Sequence, residues 1–135
     1  MVCIYCGNPT KVINSRTQKR LNQKWRRRQC VQCGAILTSI EQIEMTSALR
    51  VKSAKQYQPF LRDELFLSVY EAVRHRKKAL EDAIGLTDTI LSSLTPSGDA
   101  SVDREQIVAE TIKVLQRFDP VAAALYEALH PKNKL

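Results

Sequence analysis

The four cysteines of this 135-residue chain fall into two copies of one pattern, Cys3-Ile-Tyr-Cys6-Gly7 and Cys30-Val-Gln-Cys33-Gly34. Two residues between the sulfurs let a tight turn aim both at one point. The glycine that follows lets the backbone bend beneath them without a Cβ in the way. Two such turns facing each other make a tetrahedral four-sulfur site from Cys3, Cys6, Cys30 and Cys33, with residues 7–29 looping out between the pairs.

Zinc is the metal this pattern fits first; thiolates also suit iron or an iron–sulfur cluster. Disulfides would need an oxidising compartment, and the chain reaches its first cysteine at position 3 without a signal peptide. A thioredoxin-like pair needs a strand-to-helix junction in a large α/β domain, which the residues around Cys3 and Cys30 do not offer. No apolar run approaches the roughly 20 residues of a membrane span, so the expected location is the cytoplasm, with no membrane partner.

Charge is distributed unevenly. The net +7 resolves into +9 for residues 1–58, with eleven basic and two acidic side chains, and −2 for residues 59–135, with ten and twelve. Residues 1–40 hold eight basic side chains and no acidic one. Such a surface favours polyanions, nucleic acid above all. Lys11, Arg16, Lys24, Arg26, Arg27 and Arg28 are the candidate DNA contacts, for phosphates and for guanine edges. The bland reading of the arginine triplet is a solvated strand that discourages edge pairing. Trp25 is either the anchor of a small core or a stacking platform.

The pattern predicts an α+β chain: a small antiparallel metal ribbon over residues 1–46, then a mostly helical domain over 47–135. Strands are expected at residues 10–16, 24–29 and 35–43, with Lys19 and Arg20 at the tip of the first connection. Strict alternation places Lys24, Arg26 and Arg28 on one face and Trp25, Arg27 and Gln29 on the other. A ribbon this small needs the metal to fold. Two short strands, 48–52 and 57–60, lead into four amphipathic helices at 60–78, 79–94, 103–118 and 120–129. Asp103 with Gln106 reads as a capping box, and Asp119-Pro120 as an N-cap followed by proline at the first helical position. Gly85 weakens the second helix, and residues 95–99 end it.

Several runs resemble the NrdR family of bacterial repressors of ribonucleotide reductase genes. They are Cys3-x-x-Cys6, Thr10-Lys-Val-Ile-Asn-Ser-Arg16, Arg26-Arg-Arg-Gln-Cys30-Val-Gln-Cys33-Gly34 and Thr38-Ser-Ile-Glu41. The resemblance implies a zinc ribbon that binds double-stranded DNA. It also implies an ATP-cone-like helical domain that senses ATP against dATP and assembles the protein into a homo-oligomer. The cone's opening, Val-x-Lys-Arg-Asp-Gly followed by Glu-x-Phe, appears here as Val51-Lys52-Ser53-Ala54-Lys55 and then Gln58-Pro59-Phe60. Its Lys-Arg-Pro stretch appears as His75-Arg76-Lys77. Lys52, Lys55, His75, Arg76 and Lys77 are therefore the candidate residues for an adenine nucleotide; for the run 75–78, a charged helix end is the rival reading.

The chain is thus expected to be a regulator rather than an enzyme, since a saturated four-cysteine site leaves no open coordination position. The alternative is an adaptor whose ribbon binds RNA or a polymerase subunit and whose helical part only dimerises.

Overall fold

Three strands, β1 (Thr10–Gln18), β2 (Gln23–Cys30) and β3 (Ile36–Gln42), form an antiparallel sheet in the order β1-β2-β3. They belong to the first of two compact units, Met1–Ile43 and Glu44–Leu135. This computed structural model describes residues 1–94, 96 and 98–131. The predicted strands are present, each shifted by a residue or two, and residues 19–22 form the turn between β1 and β2, with Asn22 in the left-handed region at φ 48°. Among the described residues of the ribbon only Cys3 and Cys30 are buried, and Trp25 is half-buried. The ribbon therefore has no apolar core of its own, and Trp25 is not the buried anchor of one.

The register between β1 and β2 is not regular. Val12 lies opposite Arg28 and Asn14 opposite Arg27, which leaves Ile13 as an extra residue, a β-bulge. Alternation alone would put Lys11 and Arg16 on opposite faces, being an odd number of residues apart. The bulge absorbs one step, so Lys11, level with Gln29, and Arg16, level with Trp25, share a face.

The second unit opens with a four-residue helix that the sequence pattern did not predict, α1 (Met45–Ala48), whose first N–H groups are capped by the Glu44 carboxylate. Strands β4 (Arg50–Ser53) and β5 (Gln56–Pro59) pair as an antiparallel hairpin, and β6 (Ser101–Asp103), also not predicted, adds to β4 in parallel. Four helices complete the unit: α2 (Arg62–Val73), α3 (Ala79–Ser93), α4 (Arg104–Phe118) and α5 (Pro120–Leu129). The apolar stripes of the four meet in one core, with Val69, Val73, Ile90, Leu115 and Tyr126 at or near zero exposure. No described helix is long and apolar enough to cross a membrane.

Two sequence expectations change. Helix α2 stops at Val73 rather than reaching residue 78, because the segment after it turns back so that Arg76 meets Asp82 and Asp119. Asp103 occupies the N-cap position of α4, but its side chain makes no cap hydrogen bond; it is the last residue of β6, level with Lys52. The N-cap of α5 is as expected: Asp119 accepts from Val121 N–H at 2.9 Å and from Ala122 N–H at 3.5 Å. Of the predicted connection at 95–99, residues 95 and 97 lie outside the described residues.

Candidate metal centre and nucleic-acid interface

Both cysteine turns are built the same way. Cys3 N–H donates to Asn8 C=O at 2.8 Å, and Cys30 N–H donates to Ala35 C=O at 2.9 Å, closing two loops of equal length. Within each, the glycine after the second cysteine takes a left-handed conformation, φ 73° at Gly7 and 74° at Gly34. Only glycine adopts that backbone without steric cost, which is why the pattern carries it.

The turns bring all four Sγ atoms within 4.8 Å of one another. The Cys3–Cys33 and Cys6–Cys30 sulfurs are 3.7 and 3.5 Å apart, and the cysteines are free rather than disulfide-bonded. A tetrahedral ion with Zn–S bonds of about 2.3 Å sets its sulfurs about 3.8 Å apart, so the donor set fits zinc in spacing and in chemistry.

Backbone and side-chain donors surround the sulfurs. Tyr5 N–H donates to Cys3 Sγ, and Gln32 N–H to Cys30 Sγ, each at 3.4 Å. The Asn8 side-chain amide, 3.4 Å from Cys6 Sγ, and then the Asn8 backbone N–H bring the Cys6 thiol down to about 6. These donors favour the Cys6 thiolate, the form that binds a metal. Sequence reading missed Asn8; its place two residues after Cys6 is the signal that could have found it, since asparagine there can fold back on the turn.

The six basic candidates of the ribbon divide between two faces. Lys24, Arg26 and Arg28 lie on the face that also holds Ser39 and Glu41 of β3. There Arg26 pairs with Glu41, and Arg28 donates through Nε to Ser39 Oγ at 2.9 Å. Lys11, Arg16 and Arg27 lie on the other face with Trp25, and the Arg16 guanidinium stands 6.0 Å over the Trp25 ring. All three are exposed.

In the helical unit, Lys52 sits on β4 level with Tyr57 and Asp103, and Lys55 lies in the turn that joins β4 to β5. His75, Arg76 and Lys77 follow α2. Arg76 donates through Nε to Asp82 at 2.8 Å and through Nη1 to Asp119 at 3.1 Å, and its guanidinium lies 4.4 Å over the Phe118 ring. His75 Nε2 stands 3.0 Å from the same Asp119 carboxylate. Carboxylates of this chain therefore already meet two of these three residues.

A cleft of ≈ 350 Å³ lies elsewhere in this unit, between the β4–β5 hairpin, the start of α2, and helices α4 and α5. Gln58, Glu64, Arg104, Tyr126 and His130 are among its lining residues, and none of the five nucleotide candidates is. Arg104 was not singled out from the sequence, where it is one charged residue in a mixed helical turn.

Comparison with known proteins agrees with this architecture. A zinc-ribbon family model described as "Transcriptional repressor NrdR-like, N-terminal domain" matches residues 1–41. The protein named transcriptional repressor NrdR of Symbiobacterium thermophilum is 30% identical over 134 residues, 99% of this chain and 89% of the relative. Its namesake in Sphingopyxis alaskensis is 33% identical over 131 residues, 96% of this chain and 84% of the relative. That of Syntrophotalea carbinolica is 29% identical over 135 residues, 99% and 86% respectively. With four sulfurs converging at zinc spacing on a three-stranded ribbon, and relatives that align along nearly its whole length, this chain belongs to the NrdR family.

Proposed function

We propose that the protein is a zinc-dependent, DNA-binding transcriptional repressor of ribonucleotide reductase genes, acting in the cytoplasm as a homo-oligomer. The observation that carries this reading is the ribbon itself: eight basic and no acidic residues in 1–40, on a sheet without an apolar core. Zinc held by Cys3, Cys6, Cys30 and Cys33 supplies the cross-link that orders this sheet. The contacts to double-stranded DNA are then drawn from among Lys11, Arg16, Lys24, Arg26, Arg27 and Arg28, which the sheet divides between its two faces. One ribbon offers few contacts, so joining several subunits through the helical unit raises affinity by effective concentration.

ATP or dATP is the effector in this reading, shifting which oligomer forms and so which operator spacing is matched. Lys52, Lys55, His75, Arg76 and Lys77 are the phosphate-facing candidates. His75, Arg76 and Lys77 line a depression of ≈ 420 Å³ together with Lys78 and Asp82, a volume in the size range of small-molecule sites.

A gel-shift on promoter DNA upstream of ribonucleotide reductase genes tests the whole. Binding should fall about 10³-fold or more between roughly 50 and 200 mM salt, disappear with chelator, and change in stoichiometry with adenine nucleotide. Retardation indifferent to both salt and chelator would end the proposal.

A second reading, an adaptor that binds RNA or a polymerase subunit and does not sense nucleotide, draws on the Asp82 and Asp119 carboxylates that meet Arg76 and His75. Calorimetry with ATP and with dATP separates the two, since heat from neither nucleotide favours the adaptor.

A further inference from the structure

We propose that the ribbon meets DNA through one of its two faces, with Arg27 and Asn14 reading base edges while Lys11 and Arg16 grip the phosphates on either side. The inference rests on the DNA-binding reading above and says which residues recognise sequence.

The two faces differ in what their cations are free to do. On one, Arg26 is held by Glu41 and Arg28 by Ser39. A guanidinium already paired must break that contact to reach a phosphate. On the other face the β1, β2 and β3 residues level with one another include no carboxylate, and among the described residues Lys11, Arg16 and Arg27 form no ion pair. That face owes its composition to the bulge at Ile13, without which Lys11 would lie opposite Arg16.

Its geometry matches a groove. Along β2 the face runs from Gln29, level with Lys11, through Arg27, level with Asn14, to Trp25, level with Arg16. At about 3.4 Å per residue those four steps span about 14 Å. The major groove of B-DNA is about 12 Å wide and admits a two-stranded ribbon. Seated there, the end rows bring Lys11 and Arg16 to the phosphate walls, and the stacking of Arg16 on Trp25 holds one of those cations in place. The middle row faces the floor of the groove. It holds an arginine, which reads guanine through O6 and N7, beside an asparagine, which reads adenine through N6 and N7.

The test uses the full zinc-loaded chain, with fluorescence anisotropy on a promoter duplex from upstream of ribonucleotide reductase genes and on a shuffled duplex of equal length, across a salt series. Metal content and Trp25 emission confirm that each variant is folded. Asn14→Ala and Arg27→Gln should each reduce the preference for the promoter duplex by about tenfold, a loss typical of one bidentate base contact; for Asn14→Ala the salt slope should not change. Lys11→Gln with Arg16→Gln should weaken both duplexes equally and lower the slope by about 1.8, two phosphates at about 0.9 each. Lys24→Gln, exposed on the opposite face, should leave slope and preference as they were. A slope lowered as much by Lys24→Gln as by Lys11→Gln, or a preference untouched by Asn14→Ala and Arg27→Gln, overturns this assignment while DNA binding stands. A wild-type chain that binds neither duplex overturns the DNA-binding reading along with it.

Discussion

His75 Nε2 and Asp119 Oδ2 lie 3.0 Å apart, although 44 positions separate them in the chain. The contact ties the segment after α2 to the residue that caps α5. The His75 ring first, then the Arg76 guanidinium and the N–H groups of Val121 and Ala122, hold the Asp119 carboxyl down at about 2, below its ordinary 3.8. Two functions meet in one carboxylate, helix capping and cross-linking of helices, and they can be separated by substitution.

Asp119→Asn keeps a capping oxygen and removes the charge, whereas Asp119→Ala removes both. Because the folded pKa is depressed, the charge stabilises the fold fully above about pH 4, and that stability is lost as pH falls toward about 2. The difference in thermal midpoint between wild type and Asp119→Asn should therefore shrink over that window, with Asp119→Ala lower than both at neutral pH. A difference that stays constant from neutral pH down to about 2 would show that the ionised carboxylate is not what joins these elements.

Ala54 occupies a position made for glycine. It is the first residue of the two-residue turn between Ser53 and Gln56, and its φ is 52°. A left-handed conformation costs a residue with a Cβ about 1–2 kcal/mol, part of which glycine returns through its greater freedom in the unfolded chain. Ala54→Gly should stabilise the helical unit by about 0.5–1 kcal/mol, read as a higher urea midpoint with unchanged slope.

Gly85 is the reverse case. It sits inside α3 with no atom within 4 Å of where a Cβ would stand, and its φ is not left-handed. Gly85→Ala should raise stability by about 0.8–1 kcal/mol through helix propensity alone. An unchanged urea midpoint would mean that something other than the helix backbone sets the preference at this site.

Glu41 offers a control on the ribbon's two faces. Its carboxyl is held below the usual range by its hydrogen bond to Arg26, by the Arg26 charge and, more weakly, by Lys24. Glu41→Gln releases Arg26. If DNA lies against the opposite face, the salt slope of duplex binding should not change. A slope steeper by about 0.9 would mean the released Arg26 has found a phosphate.

Much of this architecture was legible in the sequence, and the parts that were not share a physical reason. The metal turns announced themselves because Cys-x-x-Cys-Gly encodes its own geometry within five residues, down to the left-handed φ of Gly7 and Gly34. Helix α5 was equally local, since Asp119 and Pro120 fix its start. The bulge at Ile13 has no such mark, because it exists only in the pairing of β1 with β2. Strand β6 is three residues long and parallel to β4, so its signal lies some fifty positions away. The early end of α2 was hidden likewise: residues 74–78 carry no glycine or proline, and the turn is stabilised by Asp82 and by the distant Asp119. Strict alternation along β2 divides Lys24, Arg26 and Arg28 from Trp25, Arg27 and Gln29 as observed, whereas only the pairing of β1 with β2 puts Lys11 and Arg16 together on the second of those faces.

The dependence of the ribbon on its metal can be read through Trp25, the single tryptophan of the chain. With only Cys3 and Cys30 buried among the described residues of this unit, no apolar burial replaces the ion once it is removed. Chelation should therefore shift Trp25 emission toward that of a solvated indole. The helical far-UV signal should largely persist, because helices α2 to α5 share a core of their own. Gly34→Ala should move the same transition to lower chelator concentration. Its backbone φ of 74° disfavours any Cβ by about 1–2 kcal/mol, and no atom within 4 Å adds a clash to that cost. Loss of metal without any change at Trp25 would mean that the β1-β2-β3 sheet holds its shape unaided, and that the sulfurs serve something other than folding.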